Sequence, residues 1–210
     1  MRRILEYRFF NRPTPQVAKD LLGKFLVRPI GRRNVALMIT ETEAYDGFKD
    51  RGSHAHRGRT KRNWPMFGPP GHWYVYYTYG THWMLNIATR ETGYPGAVLI
   101  RAGSLFSNSR ELENKDLVNG PGRLTKALKI TGALNGKPAV PRSELWIAAS
   151  NPLRRASRLA QRESERAPRF VGAGRQRKLK IKKGPRVGIA YAGPYWAKRH
   201  WRFWINKSTS

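Results

Sequence analysis

A chain of 210 residues, 11% of them Trp, Tyr or Phe, is long enough to bury one sizeable core, so a single domain over residues 1–210 is expected. Its 41 Lys and Arg against 13 Asp and Glu give a net charge of +28, far beyond what solubility requires, and the expected partner is a polyanion. The absence of cysteine excludes disulfides, thiolate catalysis, zinc ribbons and cysteine-held clusters, leaving any chemistry to oxygen and nitrogen groups.

No run approaches the roughly 20 apolar residues of a spanning helix, so no membrane partner is expected. The opening "MRRILEYRFFNRPTPQ" is broken by Glu6, Arg8 and Asn11 and lacks the core of a secretion signal. The expected location is the cytoplasm, at the nucleoid, or the nucleus of a eukaryote.

Thr14-Pro15, then Val17, Leu21 and Leu22 before Gly23, predict a helix capped by Thr14 and stopped by the glycine. "KFLVRPI" and "VALMITETEAY" read as strands around the turn "GRRN", with Val35, Leu37 and Ile39 on one face that continues into Glu41, Glu43 and Tyr45. Residues 46–71, rich in glycine, proline and basic residues, read as an ordered irregular loop, a kind that often carries function.

"WYVYYT" and "HWMLNIAT" predict a protruding hairpin around Tyr79-Gly80. Trp73, Val75 and Tyr77 fall on one face and Tyr74, Tyr76 and Thr78 on the other, one row for the core and one for a surface or pocket. "GAVLIRAG" adds a strand with Ala97, Leu99 and Arg101 on one side. "NGPGRLTKALKI" reads as a helix after a Gly-Pro-Gly turn, and "ELWIAAS" as a strand. Residues 151–183, dominated by Arg and Lys, read as a basic, mobile insertion, and "PRVGIAYAG" and "HWRFWIN" restore strand character. The sum is an α+β domain with an antiparallel sheet.

Four features are candidates for chemistry. In "TETEAY" the two-residue period puts Glu41 and Glu43 on one face; the choice between solvated strand-end charges and a water-activating carboxylate is left open, with the scarcity of acids favouring the latter. His54 and His56 of "SHAHRGR" have a His-x-His spacing but no third ligand placed by sequence, so no metal is expected. The basic residues of 151–183 suit phosphates, each contact adding affinity without sequence choice. Tyr79, at the hairpin tip and in neither tyrosine row, suits insertion between bases.

Six motifs, "ETEAY", "GSHAHRGRTKRN", "MFGPPGHWYVYYTYGTHWMLNI", "AVLIRA", "NGPGRL" and "RVGIAYAG", together resemble the alkyladenine (3-methyladenine) DNA glycosylases of the mammalian and Bacillus type, in family order from about Ala18 to Ile205. The resemblance implies a curved antiparallel sheet surrounded by helices. It implies a monofunctional enzyme of base excision repair, needing no cofactor, that flips alkylated purines out of double-stranded DNA and leaves an abasic site, with acceptance of deaminated purines left open. It puts the water-activating carboxylate at Glu43, and Arg101 and the backbone of Val187 beside the water. Tyr45, His54 and Tyr76 would line the base pocket, Asn86 would screen purines with an extra amino group, and Tyr79 would fill the gap left by the flipped nucleotide. A monomer is expected. The family's Ser-Arg after the pocket histidine is Ala55-His56 here, and Tyr191 replaces a histidine, which bears on lesion range. The rivals from other classes are a non-catalytic nucleic-acid binder, which gains nothing from a buried acid facing DNA, and a metal nuclease using Glu41, Glu43 and His54.

Overall fold

The computed structural model describes residues 4–78, 80–107, 110–111, 117–150 and 179–206. Its strands are β1 (Phe25–Ile30), β2 (Arg33–Asp46), β3 (Trp73–Thr78), β4 (His82–Ala88), β5 (Gly96–Ser107), β6 (Arg110–Glu111), β7 (Leu117–Asn119), β8 (Trp146–Ala148), β9 (Ile181–Gly184) and β10 (Arg202–Ile205). The helices are α1 (Tyr7–Phe10), α2 (Thr14–Asp20), α3 (Pro121–Ala127) and α4 (Pro194–Ala197). All ten strands join one sheet, ordered β3-β4-β5-β2-β1-β8, with β10 beside β2, β9 beside β10, and β6 and β7 beside β5. The pairings are antiparallel.

The sheet is organised by the length of β2. Its first half pairs with β1, from Ile30 opposite Arg33 to Phe25 opposite Met38, and its second half with β10, where Glu43 faces Arg202 and Glu41 faces Trp204. Its other edge pairs with β5 from Ala36 to Asp46, but the register slips twice: Ile39 faces Gly103, Glu41 faces Ala102, and Thr42 faces Ile100. Thr40 is thus an extra residue in β2 and Arg101 an extra residue in β5. An extra residue in a strand of period two exchanges its faces.

This exchange corrects the expected continuation of the Val35-Leu37-Ile39 face into Glu41, Glu43 and Tyr45. Leu37 and Ile39 enter the main core, but beyond the bulge it is Ala44 that joins them, while the Thr42 hydroxyl donates to the Ala18 carbonyl beneath α2. The two glutamates and Tyr45 are turned to the opposite side. β5 switches with its partner: Val98 and Ile100 face the main core, as Leu105 does after the bulge.

The main core lies between this sheet face and the helices, with Val17, Ala18 and Leu21 from the α2 region and Leu124 and Leu128 from the α3 region. A second cluster of Phe25, Val27, Ala36, Trp146 and Ala148 covers the other face near β1 and β8. At the bulge the strands approach so closely that a Cβ on Gly103 would run into the Leu37 side chain and lie 2.7 Å from the Met38 carbonyl. Gly103→Ala is therefore expected to destabilise the fold by about 2–3 kcal/mol, lowering the melting temperature by roughly 5 °C or more. A calorimetric scan checks this.

Other expectations are also revised. Thr14 is the first helical residue of α2 and Pro13 stands at the cap; the Thr14 hydroxyl instead donates to Asp46 Oδ1 at 2.7 Å, tying the helix to the end of β2. The helix ends at Asp20 with Leu21 at its C-cap, and Gly23, at φ +78°, lies beyond it and gives its N–H to the Ile39 carbonyl at 2.9 Å. The "PRVGIAYAG" stretch is a loop with a short 3-10 turn, Ala190–Ala192, rather than a strand. Strand character lies just before it, in β9, inside the stretch read as a basic insertion; residues 151–178 are outside the described residues. In the hairpin, Trp73 and Val75 join the core, while Tyr77 of the same row is 47% exposed.

Candidate active site

On the face to which the bulges turn Glu43 and Arg101, β2, β3, β4 and β5 form one wall of a cavity of about 280 Å³. Tyr45 comes from β2, Tyr74, Tyr76 and Thr78 from β3, Met84 and Asn86 from β4, and Ala97, Leu99 and Arg101 from β5. The loop after β2 adds Gly52 and His54, and the loop before the 3-10 turn adds Val187, Gly188 and Ile189. Ala55, Met66, Tyr74 and Ala97 pack together, with Tyr45 and Tyr76 against them, so the aromatic walls of the cavity belong to a packed cluster.

Glu43 is fully buried, just behind the lining. Its Oε1 accepts the Val187 backbone N–H at 2.8 Å, and its Oε2 accepts the Tyr45 hydroxyl at 2.9 Å and Arg101 Nη1 at 3.3 Å. Three residues that line the cavity therefore hold one carboxylate. Burial raises the Glu43 carboxyl above its ordinary value of 4.5, against the opposing pull of Arg101, the Val187 amide and Tyr45. The extra residue in β5 is what lets Arg101 reach both acids: its Nε donates to Glu41 Oε1 at 2.9 Å, an oxygen that Arg202 Nε also reaches, at 2.7 Å.

The aromatic residues meet edge-on or at a tilt. His54 lies edge-on to Tyr76, with ring centroids 4.7 Å apart, and Tyr74 and Tyr76 are tilted by 33° at 5.1 Å. His54 Nδ1 is 2.9 Å from the Tyr74 hydroxyl. His54 keeps an exposed edge, yet desolvation of its ring in the cavity, and then the nearby Arg62, lower the imidazole from 6.5 to about 4, which favours the neutral ring near pH 7. Burial and the neighbouring Glu43 raise the Tyr45 phenol well above its ordinary range, which keeps it a hydrogen-bond donor. The Arg62 guanidinium lies 4.9 Å from the Tyr76 ring centre. Asn86 is buried and donates to the Tyr74 carbonyl at 3.1 Å, which fixes its amide against the cavity wall.

The structure thus brings together Glu43, Arg101, Val187, Tyr45, His54, Tyr76 and Asn86, drawn from four strands and two loops. Tyr79 lies outside the described residues. Ala55 is fully buried and His56 is exposed. Tyr191 lies at the cavity mouth, its hydroxyl donating to the Gly52 carbonyl at 3.2 Å. Among the described residues no three His, Asp or Glu converge as metal ligands, so Glu41, Glu43 and His54 do not form the cluster that a nuclease reading requires. Sequence reasoning missed Asp50 and Arg186, a buried ion pair at 2.6 Å beside the site. The scarcity argument applied to Glu43 extends equally to Asp50, one of 13 acids and set among basic residues.

Residues 8–209 match the family described as methylpurine-DNA glycosylase. A relative from Methanocella arvoryzae, named "Putative 3-methyladenine DNA glycosylase", is 40% identical over 213 residues, covering 98% of this chain and 94% of the relative. Relatives of the same name are 39% identical in Streptomyces avermitilis, over 94% of this chain and 85% of the relative, and 45% identical in Psychrobacter cryohalolentis, over 66% and 74%. With near-complete coverage at such identity, and with an aromatic cavity set against a buried carboxylate, the chain belongs to the methylpurine-DNA glycosylase family.

Proposed function

We propose that this DNA glycosylase is monofunctional: it takes an alkylated purine nucleotide flipped from duplex DNA into the aromatic cavity and hydrolyses its N-glycosidic bond, leaving an abasic site. The observation that carries the reading is Glu43, a fully buried carboxylate held at the cavity by Tyr45, Arg101 and the Val187 amide. In a chain of net charge +28, a pure binder of nucleic acid has no use for a buried acid with a raised proton affinity.

The chemistry follows from the substrate. A purine methylated at a ring nitrogen already bears positive charge, so it leaves with the glycosidic electron pair without needing a proton. The cavity needs to hold the base, exclude bulk water and supply one activated water. Tyr45, His54 and Tyr76 offer faces and edges on which an electron-poor ring stacks through cation–π attraction. A neutral His54 suits this role, because an imidazolium would repel a cationic base. Glu43 takes a proton from water as its oxygen bonds to C1′ of the sugar, and its charge stabilises the cation developing there. Asn86, held rigid, is the group that would meet an extra exocyclic amino group on the base. Tyr79 would fill the space vacated in the duplex.

The test is incubation of methylated duplex DNA with the chelator-treated protein, scoring released base and strand cleavage separately. Released 3-methyladenine, with strand breaks appearing only after alkali, is expected; breaks before alkali, or release that requires added metal, would contradict the mechanism. Since Glu43 must be ionised to accept a proton and burial raises it above 4.5, release should fall as pH drops, with the acid limb at a pH above that of an ordinary glutamate. A single-turnover pH profile reads the midpoint. Binding should also weaken steeply with salt, and a fluorescence anisotropy titration at several salt concentrations measures the slope.

A further inference from the structure

We infer that Asp50 and Arg186 are positioning residues whose bidentate contact holds the Val187 amide on Glu43. The rate arm of its test rests on the glycosylase reading; the structural arm does not.

Both side chains are fully buried. Arg186 Nη1 donates to Asp50 Oδ2 and Nη2 to Asp50 Oδ1, at 2.6 and 2.8 Å. Nη1 also donates to the Ala44 carbonyl at 2.9 Å, beside Glu43 in β2. The guanidinium lies 4.8 Å from the Tyr45 ring centre and 5.2 Å from that of Trp201. Asp50 in turn accepts the backbone N–H groups of Asp46, at 3.2 Å, and Gly52, at 3.0 Å. The pair therefore ties together the end of β2, the loop that carries His54 and the loop that carries Val187. Gly52 keeps this contact open: a Cβ there would come within 2.9 Å of Arg186 Nη2.

The need for such a tie lies in the exposure of the last loop. Pro185, Val187 and Gly188 are exposed around the buried Arg186, and the Val187 side chain is 46% exposed, so apolar packing does not fix the peptide that donates to Glu43. The next buried residue is Ile189. A buried ion pair is a poor way to gain stability, since apolar side chains of similar volume often serve as well. A guanidinium fork gripping a carboxylate instead fixes direction. One residue further along, that direction becomes the 2.8 Å contact of the Val187 N–H with Glu43 Oε1.

Two variants test this. Asp50→Asn with Arg186→Met removes both charges and retains an acceptor for the Gly52 N–H. Arg186→Lys keeps the charge but loses the fork, and it keeps the test open if the neutral pair fails to fold. The groups facing Glu43 are Glu41 and Tyr45 from β2, Arg101 from β5, Arg202 opposite it on β10 and the Val187 amide; none is altered. In the free protein, carbon-13 NMR of labelled glutamate, with Glu43 assigned through Glu43→Gln, should show its titration midpoint raised in both variants. On methylated duplex DNA the single-turnover release rate should fall roughly 100-fold while duplex affinity stays within about threefold. A wild-type Glu43 titration in variants that melt as folded proteins would overturn the inference, as would a rate loss no larger than the loss of folded protein. If the wild type released no base, the proposed function would fall while the NMR titration still decided the positioning role.

Discussion

Glu43→Gln should abolish base release from methylated duplex DNA, by about 10³-fold or more, with duplex affinity changed only a few-fold. The substitution preserves the shape of the side chain and leaves an amide oxygen, but an amide takes no proton from water and carries no charge to oppose the cation forming at the sugar. Both losses act only as the glycosidic bond breaks, so they appear in the release rate and not in binding. Affinity is expected to come from the net charge of +28, which the substitution raises by one at most. A second consequence concerns pH. Burial raises the Glu43 carboxyl, so wild-type release has an acid limb; the residual release of the variant should lack it. Wild-type turnover by the variant would remove Glu43 from the mechanism, whatever its burial.

How far this site was legible from the sequence depended on the scale of each signal. Period-two alternation is local, and it correctly divided Tyr74 and Tyr76 from Trp73 and Val75, and placed Ala97, Leu99 and Arg101 together. The same period failed on β2, because a bulge at Thr40 is decided by pairing with β5 and leaves no mark in composition. That failure matters for function: read without the bulge, Glu43 continues the core face of Leu37 and Ile39, whereas the slipped register turns it to the cavity. The Asp50–Arg186 contact joins residues 136 apart in sequence, and no local pattern reports such a pairing. Tyr45, His54, Tyr76, Asn86, Arg101 and Val187, which the motif resemblance names, line the cavity, since a resemblance compares positions and needs no register. What it did not supply is the physical arrangement: Glu43 one layer behind the lining, with three cavity residues holding it.

The second large effect is expected at Arg101, where Arg101→Met should lower the release rate by about 100-fold and move the acid limb to higher pH. Arg101 is the cation that opposes the effect of burial on Glu43, and it reaches both acids because it sits at the bulge of β5. Glu41 keeps Arg202 when Arg101 is lost; among the described residues Glu43 then keeps the Val187 amide and the Tyr45 hydroxyl. Its carboxyl therefore rises further, and a smaller fraction is ionised at neutral pH. Stability should follow the same titration. A group whose folded pKa is raised stabilises the folded state most below its unfolded value, and that contribution is lost as pH rises through the folded value. Loss of Arg101 enlarges the rise, so the melting-temperature deficit of the variant should be small in acid and widen as pH increases through the Glu43 titration. Arg101→Lys separates charge from geometry: a lysine ammonium keeps the charge but not the planar fork whose Nε and Nη1 meet Glu41 and Glu43, so its acid limb should move less than that of Arg101→Met while release stays impaired. A deficit independent of pH, with the acid limb unmoved, would mean that Arg101 serves packing alone and that Glu43 owes its ionisation to the Val187 amide and Tyr45.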